Sequence, residues 1–338
     1  MDSAGTGDRG AVLDQADPLM SRLPPSITSR LRVPLIVAPM FRVSGFDLVA
    51  AACAAGAIGA FPAINARSVE TLDQWLTSLE LAAAEAGHPV APHCPNLIMA
   101  QPGLAEYLDC LVRHRVELVI TSVGSPVPVI ESLHEAGTLV LADVATVNHA
   151  RKAIAAGVDG LVLLTAGAGG NTGWLNPFAF VRAVRGFYDG PIVLAGGIAD
   201  GTALHAARAL GCDLAYMGTR FIASEESTAS PEHKSMLVAS DADDILLTKA
   251  LSGMPMSILR PSVLAAGLDP SRLDEQIQPA DADKLYGGKS DTPGPKRWVD
   301  IYSAGHSVSV VDTVRSAGEL IEDIAAEYAD TARRYSPT

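Results

Sequence analysis

Eight short, almost wholly apolar runs recur along the chain, at 34–39, 57–62, 90–97, 117–122, 138–143, 160–165, 191–196 and 213–218. Apolarity without alternation means that both faces of such a strand are covered, as in a parallel sheet. Between the runs a helical period returns: Leu72, Trp75, Leu76 and Leu79 share one face, and so do Ala203, Ala207 and Leu210. Gly-bearing turns such as "AAGVDG" and "ALGCD" close these helices and lead into the next strand. Strand and helix alternating eight times predict an α/β fold, a (β/α)8 TIM barrel. A doubly wound sheet with an appended domain is the alternative, because periodicity does not show closure.

The pattern changes after the eighth run. Residues 225–290 hold helical text, "HKSMLVASDADDILLTKAL", and then a loop-rich stretch with no obvious strand. This predicts a small, mainly helical insertion that covers one end of the barrel as a lid. The barrel itself is expected from 23–224 and 291–338, after a disordered N-terminal lead at 1–22. Its last helix carries Leu320, Ile321, Ile324 and Tyr328 on one face, which should dock on the barrel. The uncharged stretch 48–64 nearly reaches membrane-spanning length, but Gly56, Gly59 and Pro62 split it into a short helix, a turn and a strand.

Composition narrows the partners. Of the 338 residues 48% are hydrophobic and 19% charged, the profile of a soluble globular protein rather than a disordered chain. The formal charge is −13 and no run of Lys or Arg could neutralise several phosphates, so neither nucleic acid nor an anionic membrane surface is expected as a partner. Cys53, Cys94, Cys110 and Cys212 are dispersed, without a Cys-x-x-Cys pair or matching His spacing. No metal site and no disulfide framework is expected, and a reduced, cytoplasmic location fits. The first residues lack the basic start and apolar core of a signal peptide.

In a barrel, chemistry sits where the strands end, and there this chain is rich in glycine. "GGIADG" (Gly196, Gly197, Gly201) follows the seventh run, and "GTRF" (Gly218, Thr219) follows the eighth. Backbone N–H groups in two adjacent loops, with the helix starts after them, make an anion site able to hold the phosphate of a cofactor. Nucleotide motifs fit less well. "GAGGNTG" carries Thr172 where a dinucleotide fingerprint needs Gly, and "GKS" at 288–290 has Asp at the earlier P-loop position 283.

"APM" (38–40), Asn96 of "HCPNL", "DVATVNHARKAIAAGVDGLVL" (143–163), "GAGGNTG" (167–173), "LAGGIADG" (194–201), "YMGTRF" (216–221) and "LSGMPMSILR" (251–260) together resemble the nitronate monooxygenase family, also called 2-nitropropane dioxygenases. The resemblance runs from about residue 30 to 330 and implies an FMN-binding barrel with a small second domain. It implies that Ala38, Pro39 and Met40 border the flavin ring and that Asn96 hydrogen-bonds its polar side. Ala168, Gly169 and Gly170 would run along the ring, and Gly196, Gly197, Gly218 and Thr219 would hold the phosphate.

In that family the residue after the paired glycines is usually His, the base that takes a proton from the carbon beside the nitro group. Here it is Asn171, and an amide cannot hold that proton, although it can donate a hydrogen bond to a nitronate, nitro or carbonyl oxygen. Other candidate bases are His93, near the end of the third run, and His306 in "SAGHSV". Asp143, at the end of the fifth run, either belongs to the cofactor site or caps the helix that begins at Val147. Met254, in the "SGMPM" turn, would give the substrate an adaptable apolar wall.

Three functions follow. The first is an FMN oxidoreductase that oxidises small-molecule nitronates with O2. The second is an NAD(P)H-dependent flavin reductase of a conjugated double bond, and the third is a flavin-binding protein without turnover. The assembly state is open, with a homodimer among the options.

Overall fold

The computed structural model describes residues 21–288 and 292–335. The expected lead at 1–22 lies outside them except for its last two residues, and of the "GKS" run only Gly288 is described. Eleven strands are present among the described residues: β1 (Leu35–Val37), β2 (Ile58–Pro62), β3 (His93–Ile98), β4 (Leu118–Ser122), β5 (Leu139–Val144), β6 (Gly160–Leu164), β7 (Gly170–Asn171), β8 (Ile192–Ala195), β9 (Leu214–Met217), β10 (Ile245–Thr248) and β11 (Met256–Leu259). Eight of them close into a parallel barrel in the order β1-β2-β3-β4-β5-β6-β8-β9, and β1 meets β9 with Leu35 opposite Ala215. These are the eight apolar runs of the sequence.

Two shells of side chains explain that continuous apolarity. Ile36, Ile58, Ile120, Leu141, Val162, Val193 and Leu214 fill the inside of the barrel, while Leu35, Val37, Phe61, Val119 and Leu161 point outward against the helices. The base is stoppered by Leu23, Ile27 and Leu31, which join the inner cluster. The stretch 48–64 resolves into the helix Phe46–Ala54, a turn and β2. Among the described residues no helix is long and apolar enough to cross a membrane. The four cysteines are free and buried.

Local chemistry sets the helix starts. Ser68, Thr146, Asn176 and Asp200 each accept a backbone N–H from the first turn of the helix that follows. The last helix, Ala317–Tyr335, buries Leu320, Ile321, Ile324 and Tyr328 as the periodicity predicts. It lies so close to the helix Gly201–Leu210 that a Cβ at position 201 would strike the backbone of Ile324 and Tyr328. Gly201 is therefore a packing glycine.

The segment after β9 differs from expectation in one respect. It holds the helices Pro231–Val238, Arg260–Ala265 and Pro279–Tyr286, but also β10 and β11, where the sequence shows no obvious strand. β10 and β11 pair antiparallel, and β11 pairs on its other edge with β7, which comes from the loop after β6. "DILLT" reads as helical text because a four-residue strand is too short to display its period.

Candidate active site

The residues that follow the barrel strands enclose an open cavity of about 2520 Å³, well above the usual size of a pocket for one small ligand. Ala38, Pro39, Met40, Asn96, Asp143, Ala168, Gly169, Gly170, Asn171, Gly196, Gly197, Gly218, Thr219 and Met254 all line it. The structure therefore gathers every sequence-nominated residue except two histidines.

His93 is one of them. It opens β3 at the base of the barrel, opposite Gly59 of β2, whereas the cavity lies beyond the other end of that strand. Burial pushes its imidazole down to about 4, so it is held neutral inside the protein. His306 is the other. Its backbone N–H donates to Gly167 O at 3.0 Å, and its ring packs behind the glycine loop, 3.0 Å from where a Cβ at position 167 would lie. Neither imidazole reaches the cavity.

The glycine loop is shaped mainly by its own protein neighbours. A Cβ on Gly169 would come within 2.9 Å of Gly305 N and 3.0 Å of Ala304 C, and one on Gly173 would strike Leu164 O. Gly170, at φ +65°, turns the chain into β7. There Asn171 pairs with Met256 and Gly170 with Ser257, and Thr172 N–H donates to Pro255 O at 3.1 Å. The backbone of Asn171 is thus pinned by the small sheet while its side chain faces the cavity, with a buried Oδ1 that has no partner. Ser303, which bridges to Ile258 on the same edge of β11, also lines the cavity, and its buried Oγ is unpaired as well.

The two phosphate-site loops differ from one another. Gly196 and Gly197 have φ of +123° and +72°. A Cβ on Gly196 would collide with Thr165 Oγ1, whereas one on Gly197 would have nothing within 4 Å. Among the described residues the N–H groups of Gly196, Gly197, Gly218 and Thr219 donate no hydrogen bond. Thr219 Oγ1 accepts Gly305 N–H at 2.9 Å, and Arg220 ties the two loops by donating to Ala199 O at 2.7 Å. The helix start after Gly197 is already occupied. Asp200 Oδ1 accepts Ala203 N–H at 2.7 Å, and Glu327 accepts Gly201 N–H. Any anion bound here would therefore rest on the loop N–H groups and not on that helix.

On the floor, Asn96 Nδ2 donates to Ile120 O at 3.2 Å, and Ser122 Oγ donates to Asn96 Oδ1 at 3.1 Å. Asp143 stands beside them on β5. It does not cap the next helix, because Thr146 does so by accepting His149 N–H at 3.0 Å. Its buried Oδ1 has no partner, and burial pushes the carboxyl up to about 7.

Sequence reasoning missed Ser122, Ser303 and the stacked pair His233 and Tyr302, whose rings lie 4.4 Å apart beside the cavity. Ser122 was signalled as the last residue of the fourth run. The other three sit far along the chain, with no local pattern to mark them.

Comparison with known proteins agrees with this architecture. The chain is 28% identical over 337 residues to a nitronate monooxygenase of Paraburkholderia phytofirmans, covering 87% of this chain and 92% of that protein. Curated relatives from Mycobacterium tuberculosis and Rhodococcus jostii are matched over only 63% to 67% of their own length. Among solved structures, FabK from Thermotoga maritima superposes with a TM-score of 0.76 at 26% identity, covering 93% of this chain and 98% of that one. Nitroalkane oxidase from Streptomyces ansochromogenes superposes with a TM-score of 0.73 at 26% identity, covering 92% and 100%. The nitronate monooxygenase family profile matches residues 26–327, nearly the whole of the described barrel, and the chain belongs to that family.

Proposed function

We propose that the protein is an FMN-dependent oxidoreductase that oxidises nitronate-type substrates with O2 as the electron acceptor. The observation that carries this reading is the pairing of four N–H groups without acceptors, at Gly196, Gly197, Gly218 and Thr219, with unpaired polar atoms of Asn171 and Asp143 on one cavity. Buried polar groups are normally satisfied, and a phosphate-bearing polar ring would satisfy both sets. When bound, FMN would supply two-electron redox chemistry that no side chain offers.

The chain's own residues bind and orient. The two loops would hold the phosphate with the main-chain N–H groups of Gly196, Gly197, Gly218 and Thr219. Ala168, Gly169 and Gly170 would lay main chain along the ring, and Ala38, Pro39 and Met40 would border it. Asn171 offers its amide to the substrate oxygens, where a nitronate carries its charge. Because Asn171 cannot take a proton from carbon, the substrate it suits arrives already deprotonated. In this reading the segment 225–290 is the lid, and Met254, 39% exposed and on the cavity wall, contacts substrate.

The amide at Asn171 also supports a second reading, reduction of a conjugated double bond by NAD(P)H, since the same donor could polarise a carbonyl. One experiment tests both. The purified protein is mixed anaerobically with a nitronate or with NADPH, and bleaching of the yellow colour is followed. Bleaching by the nitronate alone supports the first reading, bleaching by NADPH supports the second, and bleaching by neither overturns both.

A further inference from the structure

Among the described residues Asp143 is the one carboxylate on the inward face of the barrel at the cavity floor. It shares its parity on β5 with Leu139 and Leu141, both of which pack inside the barrel. The groups that face it are Cys94 on β3 and Tyr216 on β9, each pushed up by burial and by Asp143 itself, and so neutral. The nearby polar groups do not serve it. Asn96 and Ser122 satisfy one another and Ile120 O, and Asp143 Oδ1 is left without a partner. No Lys, Arg or His among the described residues pairs with it.

A carboxylate in such a place has no counter-charge, and its Oδ1 has no hydrogen-bond donor, which is costly. A neutral carboxyl there has a proton to give and no protein acceptor to receive it. The acceptor must come from whatever fills the cavity.

We propose that Asp143 is the proton-holding residue of the site: when a hydrogen-bond acceptor of a bound ring is seated over the floor, the Asp143 carboxylate takes one proton from solvent and holds it between its carboxyl group and that acceptor. The step is balanced, with one proton lost from bulk water and one O–H bond formed on Asp143. The ligand class is a planar heterocycle with carbonyl or ring-nitrogen acceptors, and the inference rests on the FMN reading above. It also supplies what Asn171 cannot, an ionisable group on the cavity wall.

The test measures proton uptake when FMN is added to flavin-stripped full-length protein in weak buffer with a pH indicator. Wild type and Asp143→Asn are compared, so that any proton exchanged by the phosphate cancels. With a free carboxyl at about 7, wild type should take up about one tenth of a proton more than the variant at pH 6 and about three quarters more at pH 7.5. Riboflavin should give the same difference without the phosphate. Equal uptake by the two proteins overturns the proposal. If neither protein takes up FMN, the cofactor reading has failed, and Asp143 is judged alone by carbon-13 NMR of the carboxyl. Ionisation near pH 7 upholds the held proton, and ionisation below pH 5 overturns it.

Discussion

Gly197→Asp separates the fold from the ligand. Position 197 has a left-handed φ of +72°, and a Cβ there meets nothing within 4 Å. A side chain therefore fits the ligand-free protein and points into open space. Asp and Asn tolerate this conformation better than other L-residues, so the backbone cost is about 1 kcal/mol and nearly the same for both. Only Asp adds a charge. A carboxylate about 4 Å from a phosphate is opposed by about 4 kcal/mol per unit-charge pair at an effective dielectric of about 20. That corresponds to about a thousandfold loss of affinity. Gly197→Asn has the same shape without the charge and should lose far less. The assay is FMN titration by quenching of flavin fluorescence, with thermal unfolding of the ligand-free variants as the control for fold. Matching melting temperatures with a thousandfold gap in FMN affinity is the expected result. An Asp variant that binds FMN as tightly as the Asn variant would remove the phosphate from this loop.

Four further outcomes are expected. Asn171→His should raise turnover of neutral nitroalkanes by about a hundredfold to ten-thousandfold, with little change in flavin content, and stopped-flow comparison of nitroalkane and nitronate would read it. Gly169→Ala drives a Cβ against backbone at Gly305 and Ala304 and should cost about 1–3 kcal/mol in urea unfolding. Asp213, which is fully buried, accepts from Arg185 at 2.7 Å, from Ile192 N–H at 2.9 Å and from Arg22 N–H at 2.8 Å; Asp213→Asn strands Arg185 and should cost about 3–5 kcal/mol. Finally, the folded protein holds the Asp143 proton to about pH 7, whereas the unfolded chain releases it near the ordinary carboxylate value. Its stabilising contribution is therefore complete at low pH and is lost as pH rises through 7, so the urea midpoint of ligand-free protein should fall from pH 5 to pH 8 less in Asp143→Asn than in wild type.

The barrel was legible because each strand is buried on both faces, so every run carries its signal in its own residues. β10 and β11 were not, since four residues show no period, and β7 is two residues whose pairing exists only across the chain. The same contrast holds in the site. Gly197 and Gly218 are marked by their place after strands, and their N–H groups do lie free at the cavity. His93 shows the limit: "VAPHCPNL" is apolar at both ends, and only the register of β3 with β2 reveals that His93 starts the strand while Asn96 lies further toward the cavity. The inward parity of Asp143 could have been read from Leu139 and Leu141, but the missing partner for its Oδ1 could not.

The small sheet has a consequence for how this site can change. Asn171 is carried on an edge strand whose two companions belong to the segment after the barrel, and only its main chain is spoken for. Position 171 therefore works as a socket: the scaffold grips the backbone and leaves the side chain exchangeable, so one codon can swap an amide for an imidazole without disturbing the barrel. By the same linkage, any drift of β11 carries residue 171 with it. Alterations remote from the cavity, in the sequence between β9 and the last helix, can thus retune the spacing between that side chain and its substrate.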